Sequence, residues 1–69
     1  MNSTREQVLH AIVLLTSRDG YAPTIREIMD LIGLRSPDTV AFHLESLRGE
    51  GRITWKRGAA RTIRVLEKV

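Results

Sequence analysis

Two stretches of this 69-residue chain hold the side chains with the clearest chemical use. The first is Ser36-Pro37-Asp38-Thr39-Val40-Ala41-Phe42. Serine followed by proline marks a helix start, because proline is best tolerated at the first helical position. The Ser36 hydroxyl and the amides beside it favour an anion such as a phosphate. Asp38 can accept from a cytosine N4 amino group. Thr39 can hydrogen-bond a base edge, and Phe42 can lie against thymine methyls. Two plainer readings stand beside these: Asp38 as a partner of the helix dipole, and Phe42 folded back, half-buried, toward the first helix. The second stretch carries Arg52, Lys56, Arg57, Arg61 and Arg64, with no acidic residue between Gly51 and Leu66. Basic charge gathered on one element is the electrostatic footprint of a nucleic-acid binder. Lys56, Arg57 and Arg61 suit phosphates or a narrow minor groove. A solvated edge hairpin guarded by its charges has the same composition.

Other chemistry has little support. The chain has no cysteine, which excludes disulfides and thiolate metal sites and suits a reducing cytoplasm. His10 and His43 are far apart, so no metal is expected. There is no glycine-rich phosphate loop and no serine, histidine and acid in a recognisable catalytic motif. A chain this short leaves little room for an enclosed pocket. Neither an enzyme, a cofactor nor a small-molecule ligand is expected. No apolar run approaches the roughly 20 residues of a membrane span.

The elements that must position these groups are legible from period and punctuation. Ser3 to Glu6 and Thr24 to Glu27 both read as capping boxes. The first opens a helix over about 4–18, with Val8, Leu9, Ile12, Val13 and Leu15 at helical period and Gly20 at its end. The second opens a helix over about 25–32, with Ile25, Ile28, Leu31 and Ile32 expected inward. A turn at Gly33-Leu34-Arg35 leads to a third helix over about 37–49, with Ser36 as N-cap and Val40, Leu44 and Leu47 inward. On that basis Asp38, Phe42 and Glu45 point outward, and Thr39, His43 and Ser46 flank them. Alternation at Ile53–Lys56 and Thr62–Val65 predicts two strands joined by a small-residue turn. Trp55 is expected to cover the core from the sheet. The result is one α+β domain over 1–69, a three-helix winged helix-turn-helix with a C-terminal two-stranded hairpin wing. In such a motif the second helix enters the major groove. Arg26, Arg35 and Arg48 are then candidates for backbone contacts or for plain solvated surface.

Gly20-Tyr21-Ala22-Pro23-Thr24-Ile25-Arg26-Glu27-Ile28, Gly33-Leu34-Arg35-Ser36-Pro37, His43-Leu44 with Leu47, and Gly58-Ala59-Ala60-Arg61-Thr62-Ile63-Arg64 carry a family resemblance. The chain resembles the N-terminal DNA-binding domain of the LexA family of bacterial SOS-response repressors, from about Val8 to Leu66. The resemblance implies a cytoplasmic, nucleoid-associated protein that reads a palindromic operator on double-stranded DNA. By position it implies base reading by Ser36, Asp38, Thr39, Ala41 and Phe42, and a wing over 56–61 that reaches the backbone or minor groove. With Thr24, Arg26, Arg35, Lys56, Arg57 and Arg61, these form the candidate interface. At Asp38, Ala41 and Phe42 the chain departs from the family's asparagine and glutamates, which bears on the operator it reads. The 69 residues hold no counterpart of the family's C-terminal Ser/Lys peptidase-like domain. Weak half-site binding as a monomer is therefore expected, or a DNA-dependent pair about one helical turn apart.

Two further functions fit the same residues. A winged-helix module that binds a repressor or another transcription protein would use the Asp38-Phe42-Glu45 stripe. A non-specific architectural DNA binder would need only the basic wing.

Overall fold

The three helices begin and end where local chemistry stops them. In a computed structural model that describes residues 3–66, α1 (Thr4–Asp19) starts where the Ser3 hydroxyl accepts the Glu6 amide at 3.2 Å. The first two and last three residues of the expected 1–69 domain lie outside the described part. Helix α2 (Ile25–Ile32) starts in a complete capping box, with the Thr24 hydroxyl accepting from the Glu27 amide and the Glu27 carboxylate accepting from the Thr24 amide. Helix α3 (Pro37–Gly49) follows. Gly33 ends α2 with φ +78, a left-handed conformation that an L side chain adopts only under strain. Its amide and that of Leu34 both donate to the Met29 carbonyl, which makes the turn between α2 and α3 tight.

The core is a single cluster. Val8, Leu9, Ala11, Ile12 and Leu15 come from α1, Ile28 from α2, and Val40, Leu44 and Leu47 from α3. Ile53 and Ile63 close it from the wing, and Trp55 packs against it partly buried, as expected. Helix α2 packs differently from its expected pattern. Of its four expected inward residues only Ile28 is buried; Ile25 and Leu31 are 36% and 42% exposed. An eight-residue helix packed on both α1 and α3 presents only a narrow stripe to the core; Ile32, as expected, and Met29 fill its margin, partly buried, while Ile25 and Leu31 fall outside it.

The hairpin is shorter than alternation predicts. Strands β1 (Ile53–Thr54) and β2 (Arg64–Val65) are antiparallel, with Ile53 opposite Val65 and Thr54 opposite Arg64. Past Thr54 the ladder is replaced by a side chain: the Lys56 amide donates to the Thr62 hydroxyl oxygen at 2.9 Å rather than to a backbone carbonyl. At the other end the Leu66 amide still reaches the Arg52 carbonyl at 2.8 Å. Arg52 also ties this end of the wing to α1, with its Nη2 donating to Glu6 Oε1 at 2.9 Å.

Candidate nucleic-acid interface

Helix α3 presents two different faces. Val40, Leu44 and Leu47 are 0–3% exposed and bind it to the core. Asp38, Thr39, Phe42 and Glu45 are all exposed on the other side. Phe42 is 67% exposed, so the half-buried alternative is overturned. The core-facing stripe is already filled by aliphatic side chains, and the ring instead meets His43 edge-on, with centroids 5.4 Å apart and planes at 73°. Ala41 is half-buried on the flank that faces the wing.

The start of α3 is open. Ser36 occupies the N-cap position with extended backbone (φ −118, ψ 122), but its side chain makes no capping hydrogen bond, unlike Ser3 and Thr24. The expected cap is thus one of position only. The first-turn amides of α3 keep their donors for another acceptor, where the helix dipole also favours negative charge. Arg35, just ahead, is exposed and has no ion pair among the described residues.

The wing is held by Arg61. This residue has φ +59, uncommon for anything but glycine. Its guanidinium donates to the Ala22 carbonyl at 3.2 Å and to both carboxylate oxygens of Glu27 at 2.9 and 3.3 Å. It also lies 4.6 Å from the centre of the Tyr21 ring. The Thr24 amide and the Arg61 guanidinium together hold Glu27 below the usual carboxylate range. One carboxylate therefore caps α2 and anchors the wing. Arg61, expected as a DNA contact, is exposed, and its guanidinium is engaged at the surface by Glu27 and the Ala22 carbonyl, which ties the wing to α2. Glu27 was legible only as half of a capping box, and nothing local marked Tyr21 or Glu27 as partners of a residue more than thirty positions away.

Some of the other candidates gather around Arg61 and others do not. Thr24, Arg26, Ala41, Lys56 and Arg61 line one groove of about 520 Å³ between the start of α2, the flank of α3 and the wing. Arg26 lies 3.9 Å from Asp30 in an exposed pair, and Lys56 is exposed without an ion pair among the described residues. Arg57, at the wing turn, reaches across to Glu45 on α3 at 3.6 Å, with both side chains more than half exposed. Asp38, Thr39 and Phe42 stand on the open face of α3, outside the groove lining. Arg48 differs from its expected surface role. Its guanidinium covers the Trp55 ring at 4.6 Å, and its Nη1 is buried with no hydrogen-bond partner. Among the described residues no cluster of His, Cys, Asp or Glu could hold a metal ion, and no helix is long and apolar enough to cross a membrane.

The family model described as the LexA DNA binding domain matches residues 2–62. The chain belongs to the LexA DNA-binding domain family. The LexA repressor of Desulfatibacillum aliphaticivorans is 42% identical over 60 residues, covering 87% of this chain and 30% of that protein. The transcription regulator LexA of Synechocystis is 32% identical over 68 residues, covering 99% of the chain and 34% of its own length. The LexA repressor of Clostridium kluyveri is 37% identical over 67 residues, covering 97% and 33%. The chain thus spans about a third of the length of the curated relatives it matches. The LexA match takes in all three helices, β1 and the Arg61 anchor, and stops just ahead of β2.

Proposed function

We propose that this LexA-type domain is the operator-reading module of a transcriptional repressor, binding double-stranded DNA through α3 and the wing. The observation that carries this reading is the uncapped, exposed start of α3 standing beside a basic wing that Arg61 fixes to the same motif. In the complex α3 lies in the major groove, with Ser36, its neighbouring amides and Arg35 against phosphates. Asp38, Thr39, Ala41 and Phe42 face base edges. Lys56 and Arg57 meet the backbone or the adjacent minor groove, and Arg57 exchanges the Glu45 carboxylate for a phosphate. Arg26 and the Thr24 hydroxyl flank the phosphate path beside the groove. Arg61 acts on DNA only through the position of the wing. The partner is DNA alone, or DNA with a second copy of the chain on the other half of a palindrome. The role is non-catalytic.

Selection from a random duplex library, followed by an anisotropy titration of the enriched sequence, tests this. An enriched motif bound more tightly than scrambled duplex is expected. Flat, strongly salt-dependent binding to every sequence would instead indicate an architectural DNA binder. No binding at low salt would move the Asp38-Phe42-Glu45 face to a protein partner.

A further inference from the structure

The exposed face of α3 has an unusual chemical inventory. Its side chains are Asp38, Thr39, Phe42 and Glu45, beside Pro37 at its start. None is an arginine, lysine, asparagine or glutamine. Those are the side chains that read guanine or adenine through paired hydrogen bonds in the major groove. The one arginine of α3, Arg48, is laid over Trp55 and is not available to a base. The two carboxylates can only accept, and neither can make the paired contacts that read a purine. What is left at the centre of the face is an aromatic ring two-thirds exposed to water.

In the major groove the base edges offer a single apolar group, the 5-methyl of thymine. We infer that Phe42 reads this methyl group, so that the module selects its half-site by a pyrimidine C5 substituent rather than by purine hydrogen bonds. The inference rests on the operator-reading function proposed above and specifies its chemistry. The ring cannot retreat into the protein, because Val40, Leu44 and Leu47 fill the core-facing stripe of the same helix. Its edge contact with His43 supports it from one side, so the ring stands ready on the surface. Covering a methyl group and one side of the ring removes apolar surface from water, which favours the complex. Asp38, one helical turn earlier on the same face, accepts from a cytosine amino group and so completes a pyrimidine-reading pair within one half-site.

The test uses the full chain and the duplex enriched by selection. Each thymine is replaced in turn by deoxyuridine, and affinities are measured by anisotropy at fixed salt. One position should weaken binding roughly fourfold, the effect of exposing one methyl-sized group. At that position 5-methylcytosine should bind better than cytosine. In Phe42→Ala the thymine-to-uracil ratio should fall to about one, with the circular dichroism spectrum and melting temperature unchanged. If no thymine is sensitive in the wild type, or if Phe42→Ala keeps the discrimination, the inference is overturned while the operator reading stands. If selection enriches no motif at all, the operator reading fails and the inference falls with it.

Discussion

Replacing Ile28 by alanine removes the one side chain that α2 buries completely. Isoleucine-to-alanine changes in a core cost about 2–5 kcal/mol, the transfer of the lost carbons plus the cavity left behind. Ile28 is 0% exposed and lies in a cluster contributed by α1, α3 and the wing, so three elements would have to shift to refill the space. A loss of about 3–4 kcal/mol follows. A domain of this size has roughly 3–10 kcal/mol in total, so the variant is close to unfolding. Leu31→Ala is the matched control. Period alone would set it inward beside Ile28, yet it is 42% exposed. Full burial of a leucine contributes about 1.5–3 kcal/mol, so about half of that, roughly 1 kcal/mol, is at stake. Alanine's better helix propensity offsets a few tenths more. Urea unfolding followed by the fluorescence of Trp55, the single tryptophan, separates the two variants. The midpoint should shift strongly for Ile28→Ala and little for Leu31→Ala, with similar slopes. Equal losses for the two, or less than about 1 kcal/mol for Ile28→Ala, would refute the packing described for α2.

Three other outcomes follow from the wing and its anchor. Arg57→Ala should reduce the slope of log affinity against log salt by about 0.9, because one phosphate contact is lost. Arg61→Ala should weaken DNA binding at every salt concentration with that slope unchanged, since its charge is already met by Glu27. Glu27 supplies a pH signature. A carboxylate held below its ordinary value of 4.5 stabilises the fold above that value, and the contribution disappears as pH falls through the lowered one. The stability difference between wild type and Glu27→Gln should therefore be largest near neutral pH and shrink on acidification, as read from urea midpoints across pH.

Much of the fold was legible because it rests on local signals. Thr24 and Glu27 form the expected capping box, Ser3 supplies only half of one because the Glu6 carboxylate goes to Arg52, and Val40, Leu44 and Leu47 face inward as their spacing implies. The misreadings occur where a distant partner decides. Period puts Ile25 and Leu31 inward, but the short helix buries Ile28 fully and Met29 and Ile32 in part, which leaves Ile25 and Leu31 exposed. Alternation continues the strands to Lys56 and back from Thr62, yet a threonine hydroxyl takes over the ladder there. For the proposed interface, α3 and the wing could be named as candidates from residue types alone. Whether a basic wing residue is offered to solvent or held by the protein could not. Arg57 and Arg61 look alike in sequence, and only the approach of Glu27, Ala22 and Tyr21 distinguishes Arg61 from Arg57, whose one pair, with Glu45, is largely exposed. The missing side-chain cap at Ser36 is likewise a matter of backbone geometry, since serine ahead of proline looks like an ordinary helix start.

In the proposed function one surface, the open face of α3 with the wing, meets DNA. A titration of the ¹⁵N-labelled chain with the selected duplex, followed by amide chemical shifts, tests it most directly. The largest changes should fall at Arg35 to Glu45, apart from Pro37, and at Lys56 to Ala60. The far side of the fold, around Leu14 and Leu31, should stay unperturbed. Changes centred on Leu14 and Leu31, with α3 and the wing unaffected, would place the DNA on the opposite side and rule out this surface.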